Sequence, residues 1–201
     1  MHQIEPFHKW RDYYVSSEDK RSPFYKRTYS EFEFTNTIYN YYIHPQWDDI
    51  GSETLYIKIL YADYANNFAV IELLGEWNDC ITNDIMLLKR KVIDKMIRKQ
   101  IYKFLIIGEN VLNFHADDDC YYEEWFEEVN EEEGWIVAMN FRDHVLNEME
   151  NCNLHHYLTW GAKFDRINWR IFKPDHLFHS IEHLINGGDI SRLSQFKDEQ
   201  R

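Results

Sequence analysis

Three consecutive carboxylates, Asp117, Asp118 and Asp119, are the side chains most suited to chemistry in this sequence. They stand between an apolar run at residues 102–108 and an acidic amphipathic stretch. Carboxylate oxygens bind hard cations such as Mg²⁺ or Ca²⁺, but an EF-hand loop needs a central glycine and ligands at alternating positions. N-capping and a favourable interaction with a helix dipole explain the three acids. We therefore favour a structural role for them over a metal or phosphoregulatory role.

Three histidines, His176, His179 and His183, are spaced at i, i+3 and i+7. On a helix they share one face, and their imidazoles could bind Zn²⁺ or Ni²⁺. The apolar positions of the same stretch centre nearly opposite them, so we expect the histidines to face solvent, without the dry surroundings of a metal site. The sequence therefore predicts no metal and no cofactor, and a metal-dependent enzyme built on these histidines is only a third hypothesis.

No catalytic motif accompanies the three aspartates or the three histidines. The chain has no Gly-rich phosphate loop, no Gly-x-Ser-x-Gly and no His-Glu-x-x-His. Cys80, Cys120 and Cys152 form no Cys-x-x-Cys pair, which indicates reduced thiols rather than a disulfide framework or a zinc site. We predict a protein that is not an enzyme.

Composition narrows the choice of partner. The chain has 201 residues, 44% of them hydrophobic, which is enough for one core with extensions. A formal charge of -13 opposes binding to nucleic acid or to an anionic membrane. No stretch approaches the roughly 20 apolar residues that cross a bilayer, so we expect a cytoplasmic protein. The aromatic content of 17% predicts either a bulky core or an exposed apolar patch.

The first half of the sequence alternates like β-structure. Residues 1–54 read as an aromatic, β-rich extension with a hairpin formed by residues 26–34 and 38–43, and a second hairpin follows at residues 55–74. From Ile85 the apolar residues recur at helical spacing, and Asn83 is among the N-cap candidates. The basic residues of this helix are either solvated or close to the acidic stretch.

The second half alternates strands and helices. The continuous apolar run at residues 102–108 predicts a strand covered on both faces. After the acidic helix come strands at residues 135–141 and 168–172, a short helix between them, and a closing helix from Pro174. The fold class predicted is α/β, with helices packed on a mixed sheet, after an antiparallel β-rich extension. Residues 187–201 read as a polar tail.

This order of elements resembles a known family. Residues 68–77, the basic helix, the strand at 102–107, the acidic helix and the strand at 135–140 resemble the STAS domain of anti-sigma-factor antagonists. The end of the chain, where residues 169–172 precede the closing helix, is similar to the wider SpoIIAA-like group. The resemblance covers residues 55–186 and includes the Leu74-Gly75-Glu76 turn. It implies a STAS/SpoIIAA-like domain at residues 55–186.

The resemblance also bears on regulation. In STAS antagonists, a partner kinase phosphorylates a serine at the start of the helix after the central strand. The matching stretch here is Ala116 to Asp119, which has no hydroxyl group. Asp117 or Asp118 stands at the acceptor position with one negative charge, where phosphoserine carries roughly 1.5 to 2. The resemblance thus implies an interaction module that is fixed in one charge state.

Two functions follow as hypotheses. The first is a non-enzymatic regulatory module that binds a protein partner, or a second copy of itself, through acidic residues at the strand-to-helix junction. The alternative is a carrier of a small lipophilic molecule, in which aromatic side chains line an apolar pocket. The interaction residues that we nominate for the first hypothesis are Asp117, Asp118, Asp119, Glu123 and Glu124.

Overall fold

A computed structural model describes residues 4–30, 32–34, 36–38 and 41–188. The chain divides into two compact units, Met1–Thr159 and Trp160–Arg201. The division into residues 1–54, 55–186 and 187–201 stays a prediction, and residues 189–201 of the predicted tail lie outside the described part. No helix within the described residues is both long enough and apolar enough to span a bilayer.

The described part of the first unit contains two sheets. Strands β1 (Thr37–Ile38) and β2 (Tyr41–Tyr42) pair antiparallel. The larger sheet has five strands, whose spatial order follows their order in the chain. These strands are β3 (Asp48–Asp49), β4 (Leu55–Asp63), β5 (Phe68–Asn78), β6 (Lys103–His115) and β7 (Trp135–Met139).

Strand β6 is an interior strand of the larger sheet. It pairs in parallel with β5 on one side and with β7 on the other, whereas β4 pairs antiparallel with β5. Phe104 and Leu105 are completely buried, and Ile106 is 2% exposed. The predicted strand covered on both faces is therefore confirmed, as is the α/β class with a mixed sheet. The strand is longer than its apolar run, because parallel pairing with β5 continues to His115.

Helices follow the strands of the first unit. Asn83 caps the helical segment after β5 by accepting a hydrogen bond from the Met86 amide, as its sequence position predicted. The acidic helix is amphipathic, and Tyr122, Trp125 and Val129 form its buried stripe. The helical segments are α1 (Asp79–Thr82), α2 (Asp84–Leu88), a π-helical turn (Lys89–Ile93), α3 (Asp94–Ile97), α4 (Cys120–Asn130), α5 (Asp143–Asn151) and a 3₁₀ turn (Leu154–His156).

The described part of the second unit is helical. Within its described part it has α6 (Ala162–Asp165), a 3₁₀ turn (Trp169–Ile171) and α7 (Pro174–Ile185). The closing helix has the predicted start, because proline fits the first turn of a helix. The prediction of a final strand at residues 168–172 is wrong, because residues 169–171 form a 3₁₀ turn. Short apolar runs do not distinguish strands from turns of helix by period alone, and Trp169 is buried in a 3₁₀ turn.

The N-terminal segment covers one face of the sheet. The Phe7 amide donates to the buried carboxylate of Glu72 on β5, at 2.9 Å. Trp47 is 4% exposed, and its indole N–H donates to the Ile4 carbonyl at 2.8 Å. These contacts supply partners for polar groups that would otherwise be costly to bury. A satellite apolar cluster lies on the same side and consists of Ile38, Ile43, Trp47, Tyr56 and Leu74.

Two local predictions in the first unit are wrong. Within the described part of residues 26–34 there is no strand. Ser30 accepts hydrogen bonds from the Phe32 and Glu33 amides, and such local bonds compete with a strand ladder.

The Leu74-Gly75-Glu76 segment is not a turn but part of β5, where the pairing with β6 shifts register between Gly75 and Glu76. A glycine with a positive φ serves a β-bulge as well as a turn.

Candidate functional site

The carboxyl ends of two parallel strands lie side by side in the first unit. Helix α1 follows β5, and the three consecutive aspartates follow β6. The Cys80 thiol of α1 donates to the carbonyl of Ala116 at 2.9 Å, which joins the two connections. In α/β sheets, binding groups collect at this end of the strands. We call the surface formed by Ile81, Asp117, Asp118, Asp119 and Glu123 the junction surface.

The three aspartates are exposed, and they have different partners. Asp118 accepts a hydrogen bond from the Cys120 amide at 2.7 Å, which lowers the pKa of its carboxyl group. Asp119 accepts from the Tyr157 hydroxyl at 2.9 Å and raises the pKa of that phenol to about 12. Asp117 makes no hydrogen bond or ion pair within the described residues. At least one negative charge therefore faces solvent without an intramolecular partner there.

The predicted capping role holds for one aspartate. Asp119 occupies the N-cap position of α4, but its side chain makes no capping hydrogen bond. Asp118 satisfies one of the free amides of the first turn instead. Because the Asp119 carboxylate is directed to Tyr157, helix capping explains only part of this acidic cluster.

An exposed apolar side chain accompanies the acids. Ile81 of α1 is 81% exposed, whereas Ile85, four residues later, is 1% exposed. Single exposed apolar residues are common on soluble proteins. The position of Ile81 is informative because its neighbour Cys80 contacts Ala116, directly before the aspartates. The junction surface thus combines an apolar projection with negative charge.

The second nominated glutamate is neutralised within the molecule. Both guanidinium Nη atoms of Arg90 contact the carboxylate oxygens of Glu124 at 2.6 Å. This pairing lowers the pKa of Glu124. Glu123 is exposed and makes no ion pair within the described residues. The sequence alternative that placed basic residues close to the acidic helix is confirmed for Lys89 and Arg90, and Glu124 contributes little free charge to a partner.

Lys89 lies at the centre of the same ionic network. Its side chain is fully buried, and its ammonium contacts Asp94, Glu124 at 3.4 Å and Glu128 at 2.9 Å. Burial lowers the pKa of Lys89, but hydrogen bonds to Asp94 and Glu128 outweigh burial, so the net pKa is raised. These three carboxylates form the one cluster within the described residues whose spacing suits a metal ion. The lysine ammonium already supplies the cation there, so the cluster needs no metal.

The histidines of α7 give no metal site within the described residues. His179 is exposed, and His176 and His183 are half-buried. The buried residues of α7 include Leu177 and Ile181, which form its apolar side. The prediction that the histidines face solvent therefore holds for His179 and only partly for His176 and His183.

A buried carboxyl group with no recognisable sequence signal, that of Asp79, supports the junction. Asp79, the first residue of α1, is 3% exposed. It accepts hydrogen bonds from the Tyr122 hydroxyl at 2.6 Å, the Trp77 indole at 3.0 Å and the Ile85 amide at 2.8 Å. Burial raises its pKa to about 6, although these hydrogen bonds oppose the rise. Asp79 therefore links α1, α2 and α4 beneath the junction surface.

The raised pKa of Asp79 makes a prediction about stability. A carboxyl group whose pKa is higher in the folded than in the unfolded protein stabilises the fold at low pH, and this contribution is lost as pH rises towards the folded value. A rise of about two pKa units corresponds to about 3 kcal/mol. We expect Asp79→Asn to gain stability relative to wild type between about pH 4 and pH 6 and to keep a constant difference above pH 6.

Urea unfolding of both proteins from pH 4 to pH 8 measures this difference. The exposed variant Asp143→Asn is the control, and its difference from wild type should stay nearly constant over the same range. A difference for Asp79→Asn that does not change between pH 4 and pH 6 would show that Asp79 titrates like an ordinary exposed carboxyl group.

Comparison with solved structures finds distant structural similarity. A scan of protein-family models and a search of curated proteins both find nothing that matches this chain. A crystal structure of a proposed anti-sigma factor antagonist from Thermotoga maritima is similar to 53% of this chain and 85% of its own, with 15% identity and a TM-score of 0.39. The likeness is too distant to carry an argument about function, and the α/β assignment rests on the sheet described above.

Proposed function

We propose that this protein is a non-enzymatic interaction module that binds a protein partner through the junction surface. The single observation that carries the proposal is the exposure of Ile81, 81%, next to Cys80, whose thiol bonds to Ala116 directly before three exposed aspartates. An apolar side chain in water contributes binding energy when a partner covers it, at roughly 25 cal/mol per Å². The negative charge of the surrounding carboxylates favours a partner with basic side chains at that contact.

The chemistry of the surface defines the partner. Asp117 and Glu123 have no ion pair within the described residues, so lysine or arginine side chains of a partner would meet available carboxylates. Complementary charge increases the rate of association and selects partners. An apolar pocket on the partner would receive Ile81. We therefore propose a partner with an apolar depression bordered by basic residues, in the cytoplasm, where the three free cysteines stay reduced.

The supporting contacts keep the surface in place without a ligand. The Cys80 thiol bonds to Ala116, and Asp119 bonds to Tyr157, so both connections are held by hydrogen bonds. A preorganised surface loses less conformational entropy on binding. Because residues 116–119 contain no hydroxyl group, the negative charge at this point is constant. We propose that the partner is bound without control by phosphorylation at this junction.

Charge reversal tests the proposal. We expect Asp117→Lys with Asp118→Lys to lower recovery of the partner at least tenfold when immobilised protein captures partners from a lysate. Both residues are exposed, but Asp118 accepts from the Cys120 amide at the start of α4, so the free energy of unfolding should fall by about 1 to 2 kcal/mol while the variant stays folded. The measurement is quantitative mass spectrometry of the captured proteins, together with thermal unfolding of each variant. Ile81→Ser should lower recovery of the same protein.

The control is Glu131→Lys with Glu132→Lys, which makes the same change in net charge at exposed positions after α4. It should leave capture unchanged, because a specific contact depends on position and not on total charge. Equal recovery by the wild type and the Asp117/Asp118 variant would remove the junction surface from consideration. If the captured protein is the chain itself, light scattering will show a dimer that the same variant dissociates.

A further inference from the structure

A cavity of about 360 Å³ opens on the sheet face covered by the N-terminal segment. Its walls come from the β1–β2 hairpin and from the strands below it, β5 and β6. Cavities that bind small ligands range from roughly 300 to 1,000 Å³, so this one is large enough for a compact molecule. The residues that line it include Ile4, Ile38, Tyr41, Tyr42, Leu112 and Arg142.

The cavity wall carries exposed apolar surface. Ile4 is 38% exposed, Tyr41 is 49% exposed and Tyr42 is 40% exposed. These three are among the few large apolar side chains that the described residues leave exposed, and all three line this one cavity. Clustered apolar exposure next to a concave surface is typical of a binding site. An apolar ligand would remove this surface from water.

One cationic group borders the apolar walls. Arg142 is exposed, and its guanidinium makes no hydrogen bond or ion pair within the described residues. Most of the other lining residues are aliphatic or aromatic, so Arg142 is the one charged side chain among the described residues that line the cavity. Arginine binds carboxylates through two parallel N–H donors. The combination fits a ligand with an anionic head and an apolar tail.

We propose that this cavity binds a medium-chain fatty acid, with the carboxylate on Arg142 and the alkyl chain between the hairpin and the sheet. The limited volume favours a medium chain over a long one. An overall charge of -13 repels anions, so the unpaired arginine is needed to retain the head group. The site is separate from the junction surface, and its existence does not depend on the proposed partner.

Calorimetric titration with decanoate tests the proposal. We expect saturable binding with one site per chain and about tenfold weaker binding by Arg142→Gln, because the variant loses a charge-assisted pair. Decanol, which has the same alkyl chain without the charge, should bind wild type and Arg142→Gln equally. Leu112→Trp and Ile4→Trp place bulk in the cavity and should each abolish binding of both compounds.

The control is Arg98→Gln, an exposed arginine after α3 that has no ion pair within the described residues. It should bind decanoate like the wild type. Thermal unfolding of Leu112→Trp and Ile4→Trp establishes whether each is folded, and either folded variant is sufficient for the comparison. No decanoate binding by wild type, or binding that neither Arg142→Gln nor a folded cavity variant weakens, would overturn the proposal.

Discussion

Replacement of Lys89 by alanine is expected to lower the free energy of unfolding by about 3 kcal/mol, since removal of one partner from a buried ion pair has effects of this size. The lysine side chain is fully buried and contacts Asp94, Glu124 and Glu128. Without its ammonium, three carboxylates would remain close together and repel one another. The substitution also leaves a cavity where the alkyl stem packs.

The exposure of the partners sets the size of this effect. The side chain of Asp94 is 11% exposed, and those of Glu124 and Glu128 are 34% and 41% exposed. Water can therefore solvate the glutamates after Lys89 is lost, which keeps the effect near the lower end of the range for buried pairs. Arg90 also remains bound to Glu124 and partly neutralises it.

Chemical denaturation of Lys89→Ala, Lys89→Met and Lys95→Ala separates charge from volume. Lys89→Met retains most of the buried volume and should be less destabilised than Lys89→Ala. Lys95→Ala removes an exposed lysine from α3 and should change stability by only about 0.5 kcal/mol. A loss of less than about 1 kcal/mol in Lys89→Ala, a value typical of surface pairs, would show that the buried network contributes no more than an exposed one.

The second large effect is expected at Gly75. A Cβ atom at this position would lie 1.9 Å from the carbonyl oxygen of Thr54 and 2.7 Å from the Ile38 side chain. The φ angle of +117° also disfavours any residue with a side chain. Backbone strain and overpacking each cost roughly 1 to 3 kcal/mol. We expect Gly75→Ala to lower the free energy of unfolding by about 3 kcal/mol or more.

Gly161→Ala is the matched control for Gly75→Ala. Gly161 has a φ of +135°, but an added Cβ would meet no atom within 4 Å. Its substitution therefore measures backbone strain alone, and Gly75→Ala should be clearly less stable in the same urea titration. Equal losses in the two variants would mean that contacts with Thr54 and Ile38 contribute nothing at Gly75.

Gly75 illustrates a limit of local sequence patterns. The resemblance to the STAS domain included the Leu74-Gly75-Glu76 segment as a turn. In the structure, β5 continues through it because β4 pairs on one side and β6 on the other. A glycine in the sequence indicates that the backbone there adopts a conformation that other residues disfavour, but it does not distinguish a turn from a β-bulge.

At the acidic junction, too, the sequence predicted some features, and only the structure showed the others. The run at residues 102–108 is apolar at nearly every position, which predicted a strand covered on both faces and therefore the place of Asp117 to Asp119 after it. The buried carboxyl of Asp79 was missed because its partner Tyr122 is 43 residues away in sequence. The same holds for Ile81, whose place beside Ala116 follows from a long-range contact of its neighbour Cys80.

The sequence by itself determined the α/β class, the interior strand, the acidic helix and the closing helix, because each has a hydrophobic period that depends only on near neighbours. Tertiary structure decided which charges are neutralised, as between Lys89 and Glu128, and which side chains form the junction surface and the cavity. These features depend on contacts between residues far apart in the chain, and no local period encodes such contacts.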